Sequence, residues 1–394
     1  MKVLQLIDTL RLGGAELMAV NIANGLSKNN IASYLITTRY DGSLIHDLNP
    51  VVVNKCLNRR GRWNPLPILR LIKFISSEKI TLIHAHTTSV FIASLMGLVF
   101  PKIKLVWHDH YGELERIEQR PIQALKRIIH RFSGIISVNE SLRDWAQNNL
   151  GHSKVIYLPN FIEMGDANPE FNQAEFNQAE FNQAELNQMK SDISAHKNTN
   201  PVNMDVPKRD QIKLNGPDGF KIICVANLRP QKDHLTLIRA FAQLSREHSN
   251  VSLHLVGAES DQGYAARVKS EVTAHGLNQV YFYGAVEGVS DLLHQAQIGV
   301  LSSVSEGLPM ALLEYAAAGL PIVTTDVGAC REVIGDYGFV VPSKNPKELY
   351  RALSMTIENY NSVTAKAEKL KAHVQEQYSE AAVIPRLIEF YKTF

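Results

Sequence analysis

Two carboxylates stand eight positions apart in the segment Ser305-Glu306-Gly307-Leu308-Pro309-Met310-Ala311-Leu312-Leu313-Glu314. Pro309 suits a first helical turn and Gly319 a C-terminal stop, which predicts a helix over 309–318. The first N–H groups of such a helix, near Gly307, Leu308, Met310 and Ala311, lack intrahelical partners. They sit at the positive end of its dipole, where a diphosphate binds. Carboxylates accept hydrogen bonds from sugar hydroxyls, so Glu306 before the helix and Glu314 in its second turn suit a glycosylated diphosphate. The plainer alternative is that Glu306 merely complements the helix dipole and Glu314 is solvated.

A second segment, Ala226-Asn227-Leu228-Arg229-Pro230-Gln231-Lys232, follows a predicted strand. A departing diphosphate gains negative charge, and fixed cations stabilise it; Arg229 and Lys232 are the candidates. Lys232 could instead be solvated beside an Asp233 N-cap. No Asp-x-Asp occurs, so no metal ligand and no cofactor are expected. A competing chemistry comes from His84-Ala85-His86 and His108-Asp109-His110. Alternate strand residues share a face, and two imidazole pairs could serve a metal-dependent hydrolase. No third cluster of His, Asp and Glu completes such a site. Gly13-Gly14 lets the backbone approach a ligand closely, although it lacks the Gly-x-Gly-x-x-Gly dinucleotide pattern.

The elements that must hold these residues read as βα units. In the first half, strands are predicted over 2–7, 32–37, 81–85, 103–107, 134–138 and 154–158, with helices near 15–28, 65–78, 122–131 and 140–149. The pattern restarts with strands over 221–226, 252–256, 280–283, 298–302, 321–324 and 339–341. Helices fall at 233–247, 264–275, 309–318 and 332–335, with a helical tail from 346. This is an α/β chain of two similar domains facing each other across a cleft, with ligands at the strand C-terminal ends. The expected limits are 1–164, a linker over 165–218, a second domain over 219–375, and a final helix over 376–394. The linker holds a repeat, Glu-Phe-Asn-Gln-Ala from Glu170, Glu175 and Glu180. Five residues per step keep the apolar positions on no single helix or strand face, so a flexible insertion is expected.

The chain of 394 residues has a net charge of +2, which gives no case for nucleic acid. Residues 1–164 nonetheless hold 20 Lys or Arg against 12 Asp or Glu. Part of this excess lies in Arg59-Arg60-Gly61-Arg62-Trp63. Another part lies among Arg116, Arg120, Lys126, Arg127 and Arg131, which alternate with Ile117, Ile122, Leu125, Ile128, Ile129 and Phe132. Such a basic amphipathic surface suits an anionic membrane, or else a core-facing helix with a solvated back. Three scattered cysteines suggest a reducing, cytoplasmic setting. The longest apolar run outside the first strand, Val90 to Phe100, is far below the ~20 residues needed to span a bilayer.

Glu306 to Glu314, with Ala-Ala-Gly-Leu-Pro-Ile-Val after it, resembles the signature of retaining nucleotide-sugar glycosyltransferases of family 4, which have the GT-B fold. Gly13-Gly14-Ala15-Glu16, Leu158-Pro159-Asn160-Phe161-Ile162 and Gln231-Lys232-Asp233-His234 resemble family motifs in the same order. The resemblance covers nearly the whole chain outside the repeat. It implies a GT-B fold of two Rossmann-like domains, with the final helix crossing back onto the first, and transfer of a hexosyl or N-acetylhexosaminyl group. The donor would be a nucleotide sugar, UDP by default, and the acceptor a glycan or lipid-linked hydroxyl, in bacterial surface polysaccharide synthesis. It assigns Glu306 to the donor sugar and Glu314 to the ribose, with Gly307, Leu308, Pro309 and Met310 bracketing the diphosphate and sugar. His110, with His108 as the alternative, would meet the donor sugar beside Lys232. Gly14 would face the donor phosphates. Gly13, Gly14, Glu16 and His86 would face the acceptor, unless Glu16 only fills the acidic first turn of its helix. The family often has Gly-Arg-Leu where this chain has Ala226-Asn227-Leu228, so Arg229 is a candidate replacement for that arginine. A nucleotide-sugar epimerase, a sugar phosphorylase and a non-catalytic sugar-nucleotide binder share the architecture.

Overall fold

The computed structural model describes residues 1–61, 64–112, 120–164, 212–286 and 288–394. The pentapeptide repeat, most of the expected linker, and Arg62, Trp63, Arg116 and Ile117 lie outside them. The first domain alternates β1 (Lys2–Thr9), α1 (Gly14–Lys28), β2 (Ala32–Tyr40), β3 (Val53–Cys56), α2 (Leu66–Glu78), β4 (Leu82–His86), α3 (Val90–Val99), β5 (Lys104–Asp109), α4 (Ile122–Ile129), β6 (Gly134–Ser137), α5 (Glu140–Leu150) and β7 (Val155–Tyr157). Its strands form one parallel sheet in the order β3-β2-β1-β4-β5-β6-β7.

The second domain runs β8 (Phe220–Val225), α6 (His234–Glu247), β9 (Val251–Val256), α7 (Gln262–Ala274), β10 (Val280–Gly284), α8 (Ser290–Leu293), β11 (Ile298–Leu301), α9 (Met310–Ala317), β12 (Ile322–Thr325), α10 (Cys330–Ile334) and β13 (Phe339–Val341). Its parallel sheet has the order β10-β9-β8-β11-β12-β13. The tail is three helices, α11 (Pro346–Glu358), α12 (Tyr360–Tyr378) and α13 (Glu380–Lys392). Two Rossmann-like sheets therefore face each other, as in GT-B proteins. Parallel strands covered on both faces are read as near-continuous apolar runs, which is why most were visible in the sequence.

Three elements were not expected, the shortest being α8 (Ser290–Leu293), a single turn between β10 and β11. β3 is an edge strand whose Val53, Asn54 and Lys55 are exposed, so it carries no core pattern. α3 grows from the apolar run at 90–100, whose length had excluded only a membrane span. The helix predicted from Pro309 begins one residue later, with Pro309 as its N-cap.

The period of two sorts the strands of the first sheet. Leu4 and Leu6 of β1, Ile83 and Ala85 of β4, and Leu105 and Trp107 of β5 pack under α2, α3 and α4. The intervening His84, His86 and His108 point to the other face and are fully buried. That face is closed by α1 and by α13, which returns from the second domain. Tyr391 of α13 reaches His84 Nδ1 at 2.5 Å. At Gly25 of α1 a Cβ atom would lie 2.6 Å from Ile384 of α13, so only glycine permits this approach.

Candidate active site

In each sheet the strand order reverses between two strands whose C-terminal loops part, and ligands of open α/β sheets sit in that crevice. In the first sheet the loops follow β1 and β4; in the second they follow β8 and β11. The β8–β11 pairing stops after Ile223 and Gly299. Beyond it the Tyr315 hydroxyl accepts from Val225 N at 2.6 Å and donates to Val300 O at 3.3 Å, bridging the split. Ser302 Oγ ties the two loops by donating to the carbonyls of Lys232 and Asp233.

These loops and the first domain enclose a cavity of about 690 Å³. Gly13, Gly14, Glu16, His110, Arg229, Lys232, Glu306, Gly307, Leu308, Pro309, Met310 and Glu314 all line it. Lys232 Nζ contacts Glu306 Oε1 at 2.5 Å, and Ser303 Oγ donates to the same oxygen at 2.5 Å. Both partners are largely buried, so Lys232 is not a solvated neighbour of the Asp233 cap. That cap is present, with Asp233 accepting from Thr236 N at 3.3 Å. The loop backbone is held by Gly328, at φ +54°, where a Cβ would lie 2.3 Å from Glu306 O.

Glu314 is not solvated either. It stands in the cavity wall, where burial pushes its carboxyl up to about 7. Between the two glutamates, the first N–H groups of α9, at Met310 and Ala311, have no carbonyl within the helix. Val256, Gly257, Ala285 and Val286 add an apolar wall on the same domain. Across the cleft, Glu16 folds back over Gly13. Burial raises its carboxyl, opposed by its own backbone N–H and by the Arg229 charge.

His110 lines the cavity, whereas His108 is fully buried, so His110 is the imidazole in reach of a ligand. His86 does not line the cavity, which corrects its expected acceptor-side position. It is the residue behind His110. Its Nδ1 lies 3.0 Å from His110 Nε2, and its Nε2 lies 2.8 Å from Gln5 Oε1. The Gln5 carbonyl accepts only, so His86 Nε2 carries the proton and its Nδ1 accepts from His110. That leaves His110 Nδ1 as an acceptor. Burial lowers the His110 pKa to about 3, which keeps the ring neutral.

The two His-x-His pairs do meet: His84, His86 and His108 bring ring nitrogens within 4.8 Å of one another. The rings of His86 and His108 lie 16° and 19° from parallel with His84. Lone pairs in near-parallel rings run side by side instead of converging. Asp109, the carboxylate between the second pair, is bound by both terminal nitrogens of Arg120 at 2.8 and 2.9 Å. The pairs thus build a buried stack under α13, not an open hydrolytic centre. His84 Nδ1 meets the Tyr391 hydroxyl, while its buried Nε2 has no hydrogen-bond partner. Arg120, expected on a basic surface, is instead buried and stacked on Trp145, its guanidinium 4.1 Å from the ring centroid.

Three residues outside the predicted set close the cleft. Asn160 Nδ2 donates to Leu308 O at 2.7 Å, Ser305 Oγ to Gly112 O at 2.7 Å, and Asn227 Nδ2 to Leu12 O at 3.1 Å. Asn227 thus fastens the domains and does not supply charge; the cations on that loop are Arg229 and Lys232. Asn160 sits in a quoted motif, but its partner lies 148 residues away.

The chain matches the family described as Glycosyltransferase Family 4 over residues 12–165 and the one described as Glycosyl transferases group 1 over residues 205–377. A lipopolysaccharide core biosynthesis mannosyltransferase, LpcC, from Rhizobium leguminosarum bv. viciae is 27% identical over 43% of this chain and 50% of its own length. The chain thus spans half of that relative. The putative glycosyltransferase EpsF of Bacillus subtilis (strain 168) is 22% identical over 82% of this chain and 79% of its own. In fold, the chain is similar to Anabaena Alr3699/HepE in complex with UDP-glucose, with a TM-score of 0.77 at 18% identity over all of both chains. With both domains matched in order and the motif residues gathered on one cavity, the chain belongs to the group 1, family 4 glycosyltransferases.

Proposed function

We propose that this glycosyltransferase moves a hexosyl or N-acetylhexosaminyl group from a UDP-sugar to a hydroxyl of a glycan or lipid-linked acceptor. The anomeric configuration is kept, and the setting is bacterial surface polysaccharide assembly at the cytoplasmic face of the membrane. The observation that carries the reading is one cavity with Glu314, the α9 N-terminus and the Lys232–Glu306 pair in succession. That order matches ribose, diphosphate and sugar. The UDP-glucose complex of the Anabaena protein supports UDP, and the printed role of LpcC in lipopolysaccharide core synthesis supports a surface glycan.

In this reading Glu314 accepts from the ribose hydroxyls, and the N–H groups of Met310 and Ala311 receive the diphosphate. Lys232 and Arg229 stabilise the charge that develops as the diphosphate departs. Glu306, held by Lys232 and Ser303, orients the donor sugar. His110 accepts from a sugar hydroxyl through Nδ1. The acceptor approaches from the side of Gly13, Gly14 and Glu16. Attack takes place on the face the leaving group vacates, with a departing diphosphate oxygen taking the acceptor proton. Cations of the chain itself supply the countercharge, so turnover needs no metal.

Calorimetric titration with UDP, GDP and ADP in EDTA tests this. UDP is expected to bind selectively in the wild type and to lose at least tenfold in affinity in Glu314→Ala. Absence of binding by any of the three nucleotides would overturn the reading.

A further inference from the structure

Large apolar side chains are rarely left in the open together, and contiguous exposed patches mark interaction sites. Among the described residues eleven such side chains are exposed, and six of them lie on two helices that cover the same face of the first sheet: Leu66 and Leu69 on α2, and Phe91, Leu95, Leu98 and Val99 on α3. The α3 residues fall at i, i+4, i+7 and i+8, one face of the helix. The opposite face, Val90, Ala93 and Met96, is buried on the sheet. α3 is thus apolar on both sides, and among the described residues only one side has a partner.

The rim of this patch is basic. α2 contributes Arg70 and Lys73, the turn after α3 contributes Lys102, and α4 contributes Lys126 and Arg127, all exposed. The acidic residue on these three helices, Glu78, accepts from the Tyr34 hydroxyl at the far end of α2. An apolar ridge between cations fits an interface of acyl chains and anionic headgroups. A two-fold dimer through the same face would set these cations against their own copies. α3, with ten residues, lies far short of the length that crosses a bilayer.

We propose that this face docks on an anionic phospholipid surface, with the Phe91–Leu95–Leu98–Val99 stripe and Leu66 and Leu69 set among the acyl chains. Arg70, Lys73, Lys102, Lys126 and Arg127 meet the headgroup phosphates. The basic surface foreseen around 116–132 is thereby relocated: α4 supplies the rim, and the apolar centre is α3. Phe91 also lines the catalytic cavity, beside Thr87 and Thr88. The docked stripe therefore ends at the mouth of the cleft, where an acceptor anchored in the same bilayer would enter; this last step alone rests on the transferase reading.

Flotation of the full chain with vesicles of phosphatidylcholine, with and without phosphatidylglycerol, tests the docking. The wild type is expected to float with the anionic vesicles only. Leu95→Asp combined with Leu98→Asp should reduce the floating fraction at least tenfold, and Lys126→Glu with Arg127→Glu should weaken it and its salt sensitivity. Met355→Asp, at an exposed apolar position on α11 in the other domain, should float as the wild type does. UDP titration of each variant reports folding and the donor site separately, so a failed transferase reading leaves the flotation result standing. A wild type that stays at the bottom with anionic vesicles, or a Leu95/Leu98 variant that still floats, overturns the proposal. A wild-type dimer that the same variant dissociates, without flotation, would assign the stripe to a second copy of the chain instead.

Discussion

In the proposed reading an ionised Glu314 accepts from the ribose hydroxyls, whereas burial pushes its pKa up to about 7. Its folded value is raised, so this group costs the unliganded protein stability as pH rises from about 4.5 to about 7. On that reading nucleotide binding draws on the ionised form and would release a proton. UDP affinity should fall by up to about tenfold between pH 7 and pH 6, while Glu314→Gln should bind weakly at both; calorimetry in matched buffers checks this. Lys232 and Glu306 form a buried pair, and removing one leaves the other's charge uncompensated. We expect Lys232→Met to lower kcat by roughly 10²–10³, with a smaller effect on UDP binding. Adding Glu306→Gln should lose less than the sum of the two single effects, because contacting residues couple. Glu306 and Glu314 were legible in the sequence because their spacing is local, a loop, a helix start and one helical turn, whereas the pairing of Glu306 with Lys232, 74 residues away, was not. His86 was misplaced because strand alternation gives the face of a side chain, not its depth behind a neighbour. Asn160 and Asn227 were missed as clasps because their acceptors are carbonyls of the other domain, which no residue type announces.

The histidine stack belongs to strands β4 and β5 as a pair, since register sets His86 beside His108. Burial lowers the pKa of His84 to about 3 and holds those of His86 and His108 well below the ordinary value. Such groups are neutral in the fold and charge on unfolding. Their stability is complete above pH ~6.5 and is lost as pH falls below it, at about 1.4 kcal/mol per pH unit for each proton taken up. Both ring nitrogens of His108 lack a hydrogen-bond partner. His108→Leu should therefore keep or raise Tm at pH 7 and reduce the loss of Tm between pH 6.5 and pH 5, as read by calorimetric melting at several pH values. The strands were legible from their apolar runs, except β3, which has no buried face to show. α3 was visible as a run of hydrophobic residues, but an element apolar on both sides carries no periodicity, so its helical state was not.

At the scale of the molecule, α13 makes the first domain depend on the last residues of the chain. Val383, Ile384, Leu387, Phe390 and Tyr391 are buried, with Ile384 against α1 and Tyr391 on His84. Deleting 379–394 should abolish soluble expression or lower Tm by more than 10 °C, since several large core side chains are lost at ~1.5–3 kcal/mol each; expression and melting of the truncated chain check this. The two-domain plan was legible because the βα pattern restarts, and the crossing helix was foreseen by family likeness, not by any residue pattern. The return of the chain at Ser379 is itself fastened to the outgoing stretch: Ile162 N donates to Tyr378 O at 3.0 Å, and Glu380 N donates to Ile162 O at 3.1 Å. Both passages between the lobes are thus bound at one spot, which acts as a pivot. Away from that joint the lobes are held by single hydrogen bonds, at Asn160, Ser305, Asn227 and from the Tyr157 hydroxyl to Glu332. A ligand that touches both walls of the cleft would add to these few bonds and tie the lobes together on the side away from the joint.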